Sequence, residues 1–210
     1  MDITTEEQPR ALIGSPTEVV VSKIANRLNV LTRRYIERSP FLCLATSAPG
    51  GSCDVSPRGD PPGFVRILDD HTLLIPERPG NRLADSLRNI LANPQVGILF
   101  LVPGVGETFR VNGRTTLLDD AELLAPSAIE GKAPRLGIRV SIQEAYTQCP
   151  KAFLRADLWD PARYLSSADF ASSGEILREV RRKADLSDGF DAAAYDAARA
   201  QRYARRDGFY

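Results

Sequence analysis

Between residues 41 and 142, six short apolar runs follow one another, and several of them end at Gly, Pro or Asp. The runs cover residues 41–46, 64–68, 72–75, 95–102, 109–114 and 136–142. Runs of this length, separated by turn-forming residues, are typical of β-strands that pair with antiparallel neighbours. Because few helical patterns separate them, the sequence predicts a mostly β (α+β) fold with flanking helices, in which about six strands suffice to close a small barrel.

Helical patterns flank and interrupt these strands. Ser15-Pro16-Thr17-Glu18 has the form of a capping box, and apolar residues then recur at helical spacing as far as Ser39-Pro40. This predicts one long helix against the sheet. Further helices are predicted over residues 83–91, 119–124, 149–159, 175–184 and 192–205. The chain therefore divides into a flexible arm (1–14), a barrel domain (15–162) and a helical C-terminal extension (163–210).

The composition excludes several classes of function. Lys+Arg and Asp+Glu are equal at 27 each, so no overall positive field favours nucleic acid. No stretch approaches the length of a membrane-spanning helix, and the acidic, polar start does not resemble a leader peptide, which predicts a cytoplasmic protein without a membrane partner.

Cysteine and histidine are too few for a metal site. The three cysteines have no CxxC spacing, and Cys43 lies in an apolar run, which predicts a core residue. His71 is the single histidine and is expected to be an exposed turn residue, so no multi-histidine metal site can form. We predict no metal and assign no catalytic side chain, and any chemistry is expected to come from a cofactor.

Two segments rich in Gly and Pro carry arginine beside short hydrogen-bonding side chains. They are DVSPRGDPPG (54–63) and PERPGNR (76–82), and each follows or interrupts a strand-like run. Gly allows close approach of the backbone to a ligand, Pro stiffens the segment, and Arg matches a phosphate. The second segment leads into a helix, whose N-terminus also favours anions. If the two segments converge, they form an anion site, most simply for a phosphorylated cofactor. The alternative is that they are turns with solvated charges.

The order of these elements resembles the FMN-binding split barrel. Several motifs resemble those of the pyridoxamine 5′-phosphate oxidase-related flavoproteins, over roughly residues 20–162. These motifs are DVSPRGD (54–60), FVRIL (64–68), RPGNR (78–82), NP (93–94), FRVNG (109–113) and CPKA (149–152). The tail departs from the oxidase itself, because no histidine follows His71 and the substrate-gripping Arg-x-His pair is absent. The sequence therefore does not tell whether vitamin B6 phosphates are oxidised.

The resemblance implies a homodimer that binds FMN at the subunit interface and transfers hydride through the flavin N5 to or from a small-molecule substrate. It places Arg78, Asn81 and Arg82 at the FMN phosphate. It places the backbone of residues 55–60, with Ser56 and Arg58, at the ring and ribityl chain. The implied cofactor-binding residues are Val55, Ser56, Pro57, Arg58, Gly59, Asp60, Pro76, Glu77, Arg78, Asn81, Arg82, Cys149 and Lys151, with Lys151 near Cys149 as a contact from the partner subunit.

Other functions stay open at this point. The protein could be a flavin carrier or redox sensor without turnover, or a split barrel that binds haem or a deazaflavin. The shortage of histidine weighs against histidine-ligated haem, although Tyr or Cys can also ligate it.

Overall fold

The structure is a computed structural model that describes residues 2–184, 186 and 189–210. The described residues form seven strands in one antiparallel sheet. The strands are β1 (Phe41–Ser47), β2 (Cys53–Gly59), β3 (Arg66–Asp69), β4 (Thr72–Pro76), β5 (Gln95–Leu101), β6 (Thr108–Leu118) and β7 (Gly137–Gln148). Their order is β2-β1-β5-β6-β7-β4-β3, so β2 and β3 are edges and the sheet is not closed. The predicted split barrel with flanking helices is confirmed.

The helices lie around the sheet and at both ends of the chain. They are α1 (Glu7–Ile13), α2 (Glu18–Ser22), α3 (Val30–Arg38), α4 (Asp85–Ala92), α5 (Ala121–Leu124), α6 (Lys151–Arg155), α7 (Ser173–Lys183) and α8 (Ala192–Ala204). Short 3-10 turns cover Ala125–Ser127, Pro161–Arg163 and Ser167–Asp169. None of the helices in the described ranges has the length and apolar character needed to cross a membrane.

The seventh strand is β2, where the sequence predicts an arginine-bearing loop. It pairs with β1 along its whole length, from Phe41 opposite Gly59 to Ser47 opposite Cys53. Pro57 is tolerated because β2 is an edge strand, where one row of backbone groups needs no partner strand. The prediction of a loop over residues 54–59 is therefore wrong, and pairing with β1 outweighs the local Gly and Pro content.

The core lies on the inner face of the barrel. Leu42 and Leu44 of β1 are fully buried, as are Phe109 and Val111 of β6. Ile90 of α4 packs into the same cluster. Along β1, buried residues alternate with half-buried ones on the outer face. Cys43 belongs to this outer set and is half-buried, so its prediction as a core residue is wrong.

The single long helix predicted after residue 15 is two helices. Thr17 precedes α2 and makes no side-chain cap hydrogen bond, so the capping box at Ser15 does not form. Ala25 then pairs with Ala145 of β7, which draws the chain out of helical geometry. Asn29 restarts the helix as the N-cap of α3, accepting hydrogen bonds from two backbone N–H groups, at 2.9 and 3.0 Å.

Helices α1, α7 and α8 pack less closely on the barrel than α3 and α4 do. The arm predicted to be loose contains α1, none of whose residues is buried. Helices α7 and α8 confirm the predicted helices at 175–184 and 192–205 within two residues, and they pack on each other. Gly174 N donates to Asp196 Oδ1 at 2.8 Å, and a Cβ at Gly174 would lie 2.4 Å from a backbone oxygen of α8. The division at residues 14 and 162 stays a prediction.

The predicted exposure of His71 is confirmed. His71 lies in the turn between β3 and β4, and its Nδ1 lies 3.0 Å from the carbonyl oxygen of Asn26. Trp159 anchors the region after α6, since its Nε1 donates to the Val105 carbonyl at 2.9 Å and its ring stacks on Phe153.

Candidate functional site

The two arginine-bearing segments meet in one cleft of about 710 Å³. Residues 54–60, Phe64 and residues 76–87 line it. Its volume is in the range of small-molecule sites, about 300–1,000 Å³. The cleft contains the predicted site residues Val55, Ser56, Pro57, Arg58, Gly59, Asp60, Pro76, Glu77, Arg78, Asn81 and Arg82.

Strand β2 supplies one wall because alternate polar side chains point to the inner side of the sheet. Ser56 and Arg58 lie opposite the buried Leu44 and Leu42 of β1 and are themselves only half-buried. Asp54 continues this row, and its Oδ2 accepts a hydrogen bond of 2.8 Å from Ser86 Oγ of α4. The inner side chains of β2 are thus polar and face the open cleft. The inner side chains of the neighbouring strand β1 are apolar and face the core.

Arg58 joins the two walls and keeps one donor unused. Its Nη1 donates to Glu77 in a close ion pair, and its side chain is 14% exposed. Its Nε is buried and has no hydrogen-bond partner among the described residues. An unpaired buried donor costs about 1–3 kcal/mol, and this one is shielded from solvent inside the cleft wall.

Arg78 is held on three sides. Its Nε donates to Asp60 Oδ2 at 2.6 Å, and its Nη2 donates to the Ser127 carbonyl at 2.8 Å. The ring of Tyr210 lies over the guanidinium, 5.3 Å from Cζ. The Asp60 side chain is 2% exposed. Within the described part of the chain, only Nη1 of this guanidinium makes no hydrogen bond.

The segment before α4 combines unusual backbone angles with uncapped amides. Arg82 and Ala84 have φ angles of 64° and 58°, in the left-handed region that costs a non-glycine residue about 1 kcal/mol or more. Asn81 Oδ1 accepts from the Leu83 N–H at 3.0 Å. Ala84 is the N-cap of α4 and offers no side-chain hydrogen bond, so the first amides of the helix have no capping side chain. A helix end of this kind attracts anions.

Charge in the cleft is unevenly distributed. Arg58 and Arg78 are each paired with a carboxylate, whereas Arg82 is exposed and makes no ion pair within the described residues. Asp85, in the first turn of α4, pairs with Arg88. Arg82 is therefore the cation of the cleft that lacks a carboxylate partner among the described residues, and Asp54, bound by the Ser86 hydroxyl, is the carboxylate that lacks a cation.

Cys149 and Lys151 lie outside this cleft. Strand β7 begins at Gly137, which pairs with Pro76 at the cleft, and its twelve residues end at Gln148. Cys149 is thus beyond the opposite end of that strand. The Lys151 backbone N–H lowers the pKa of the Cys149 thiol, and the Lys151 charge acts in the same direction. One chain does not bring these two residues to the cleft. The contact of Lys151 from the partner subunit and the role of Cys149 in cofactor binding stay predictions.

Sequence reasoning missed several residues of this region. Ser86 ties α4 to β2, and the Ser127 carbonyl and the Tyr210 side chain hold the Arg78–Asp60 pair. None of the three lies in a recognisable motif. Tyr210 is 150 positions from Asp60, so no local pattern could connect them.

The chain is similar to known proteins in sequence and in fold. The family model described as pyridoxamine 5′-phosphate oxidase matches residues 31–149. No curated protein matches the chain. Similar solved structures include HupZ from Group A Streptococcus, at 16% identity and a TM-score of 0.49, covering 58% of this chain and 94% of that one. An FMN-binding protein from Syntrophomonas wolfei has 14% identity and a TM-score of 0.43, covering 56% and 88%. A FAD-binding protein from Mesorhizobium loti has 20% identity and a TM-score of 0.40, covering 60% and 98%.

The family model spans more than half of the chain, including β1 to β7 and both arginine-bearing walls of the cleft. On this basis the chain belongs to the pyridoxamine 5′-phosphate oxidase family.

Proposed function

We propose that the cleft binds FMN and that the protein is an FMN-dependent oxidoreductase acting on a small molecule. The observation that carries the proposal is the meeting of residues 54–60 and 76–87 in one cleft, at the N-terminus of α4, in a chain of this family. A flavin with a phosphate end would use both halves of that arrangement.

The residues present fit such a group. A phosphate would find donors and positive charge where the 76–87 segment enters α4. They come from Asn81, Arg82 and the uncapped start of the helix. Arg78 adds its unused Nη1. At the other wall, Ser56 and the guanidinium of Arg58 offer donors for the polar edge of a ring. The carboxylates of Asp60 and Glu77 orient the two arginines.

When bound, the flavin supplies hydride transfer, so the protein need not provide a nucleophile. The role of the chain is then to bind the phosphate, to orient the ring and to place hydrogen-bond donors beside it. We assign no side chain a role in the chemical step. The substrate is proposed only as a small molecule that can donate or accept hydride.

We also propose that the functional unit is a homodimer. The outer face of the sheet carries the small or apolar residues Cys43, Ala45, Gly97 and Leu99, which are half-buried although they lie on the central strands β1 and β5. Val55 of β2 is 63% exposed beside them. Because β2 borders both this face and the cleft, a second copy on the face would lie next to the bound cofactor. An exposed apolar patch of this kind is typical of an interface.

The test is a spectrum followed by a titration. We expect the purified protein, or the protein after incubation with FMN, to show the two visible absorption bands of a bound flavin. A matched variant with Arg78 and Arg82 both replaced by Ala should bind FMN far more weakly and keep the wild-type circular dichroism spectrum. A protein that takes up no FMN, or a variant with unchanged FMN affinity, contradicts the proposal. A haem Soret band would indicate the haem-binding alternative.

A turnover assay distinguishes an oxidoreductase from a flavin carrier. The FMN-loaded protein is mixed with NADH or NADPH and then with a quinone or dye acceptor, while the flavin absorbance is followed. Repeated bleaching and recovery of the flavin support an oxidoreductase. A flavin that stays bound and is never reduced by any donor favours the carrier.

A further inference from the structure

The turn after α8 places Tyr210 against residues of the cleft wall, although Tyr210 does not line the cleft itself. Arg206 and Gly208 have positive φ angles of 55° and 78°, which reverse the chain immediately after the helix. Arg206 lies over the rings of Phe209 and Tyr210, at 5.4 and 5.6 Å from their centroids, and its Nη2 donates to Tyr210 Oη at 3.1 Å. The turn is thus held by its own side chains, and it presents the phenol in a fixed position.

Tyr210 connects this turn to the charged pair of the cleft wall. Its Oη donates to Asp60 Oδ1 at 3.0 Å, while Asp60 Oδ2 accepts from Arg78 Nε at 2.6 Å. Both oxygens of a nearly fully buried carboxylate are therefore used. The result is a chain of contacts from Arg206 through Tyr210 and Asp60 to Arg78. Tyr210 does not itself line the cleft, so it can affect a ligand there only through Asp60 and Arg78.

We propose that Tyr210 is a positioning residue of the phosphate end of the cleft. Its hydroxyl fixes Asp60, and its ring covers one face of the Arg78 guanidinium, 5.3 Å from Cζ. With Nε and Nη2 already engaged and one face covered, Arg78 keeps a single orientation in which Nη1 remains for a ligand anion. An arginine that is ordered before binding loses less rotamer entropy when the phosphate arrives. This inference rests on the proposed function, because it assumes that the anion is the phosphate of a flavin mononucleotide.

The protonated phenol is the form that this role requires. Burial raises the pKa of Tyr210, and the neighbouring Asp60 carboxylate raises it further. The hydroxyl therefore stays a donor to Asp60 across the neutral range.

The experiment compares FMN with riboflavin, which lacks the phosphate, as probes of the full-length protein. Tyr210→Phe removes the hydroxyl and keeps the ring. It should weaken FMN about fivefold, on the scale of one hydrogen bond, and leave riboflavin affinity unchanged. Tyr210→Leu, which also removes the ring, should weaken FMN further. Tyr164→Phe is the matched control, because Tyr164 is 61% exposed and lies outside the cleft.

A double-mutant cycle with Arg78→Ala distinguishes positioning from general destabilisation. If Tyr210 acts through Arg78, Tyr210→Phe should cause no further loss of FMN affinity in the Arg78→Ala background. The inference is overturned if Tyr210→Phe leaves FMN affinity unchanged, weakens FMN and riboflavin equally, or acts equally in both backgrounds. Failure of the proposed function is seen separately, in wild-type protein that binds neither flavin, and that result overturns the inference too.

Discussion

Replacing Asp60 with Ala should destabilise the protein by about 3 kcal/mol, because it removes the acceptor that holds Arg78. The Asp60 side chain is 2% exposed and accepts two hydrogen bonds, from Arg78 Nε at 2.6 Å and from Tyr210 Oη at 3.0 Å. Removing one partner of a buried ion pair costs about 3–5 kcal/mol. The lower end applies here because Arg78 is 15% exposed and keeps its hydrogen bond to the Ser127 carbonyl.

The assay is urea denaturation followed by far-ultraviolet circular dichroism, with thermal unfolding as a second measurement. For a chain of this length about 1 kcal/mol corresponds to about 2–4 °C, so the loss should lower Tm by about 6–12 °C. Asp60→Asn keeps the shape and loses the charge, and it should cost less than Asp60→Ala. Asp119→Ala is the matched control, since Asp119 is exposed and makes no hydrogen bond or ion pair within the described residues. Its effect should stay within about 0.5 kcal/mol. If Asp60→Ala costs no more than Asp119→Ala, the buried pair does not hold this wall.

Four further predictions concern binding, packing, assembly and reactivity. Arg82→Ala should weaken FMN by about 1.5–3 kcal/mol in calorimetry, the size of a charged hydrogen bond, without affecting riboflavin. Gly113→Ala should cost about 1–3 kcal/mol on denaturation, because its Cβ would lie 2.4 Å from a backbone oxygen of the next strand, whereas Gly50→Ala meets no atom within 4 Å. Leu99→Asp, on the outer face, should convert a dimer to a monomer in size-exclusion chromatography with light scattering. The lowered pKa of Cys149 means that its thiolate persists to lower pH, so its alkylation should reach half-maximal rate below the pH of an ordinary thiol, and Cys149→Ser should remove that reaction.

A specific experimental result would contradict each of these four predictions. Equal losses of FMN and riboflavin would show that Arg82 does not contact the phosphate. A neutral Gly113→Ala would mean that the backbone relaxes freely at the register shift between Asn112 and Gly113, where β6 pairs with β7. A Leu99→Asp protein that stays dimeric would place the interface elsewhere. An alkylation profile identical to that of a free thiol would show that the N–H near Cys149 does not stabilise its thiolate.

The central strands and most helices follow from local sequence. The apolar runs at 41–46 and 95–102 became β1 and β5 almost residue for residue, because a buried strand needs consecutive apolar and β-branched residues. Local sequence also predicted the hairpin of β3 and β4 and the end of α4 before Pro94. Turn residues and proline act on their immediate neighbours, so their effects can be predicted locally.

Tertiary contacts decided the features that local patterns predicted wrongly. The Gly and Pro content of residues 54–59 favours a loop, yet pairing with β1 made an edge strand, because an edge tolerates a missing donor. The break between α2 and α3 came from the pairing of Ala25 with Ala145, residues far apart in the chain. In the same way, the half-buried position of Cys43 depends on which face of the sheet is covered by the core.

The sequence by itself determined that two arginine-bearing segments are present, that one of them leads into a helix, and that no histidine cluster competes with a cofactor for the chemistry. Only the tertiary structure decided that Asp60 and Glu77 engage two of those arginines, that Arg82 has no ion-pair partner among the residues that the structure describes, and that Tyr210 supports the wall. The physical reason is one of range. Secondary-structure propensities and helix capping act over a few residues. The arginine–carboxylate ion pairs and the hydrogen bond from Tyr210 to Asp60 depend instead on how the sheet and the helices place residues that are distant in sequence.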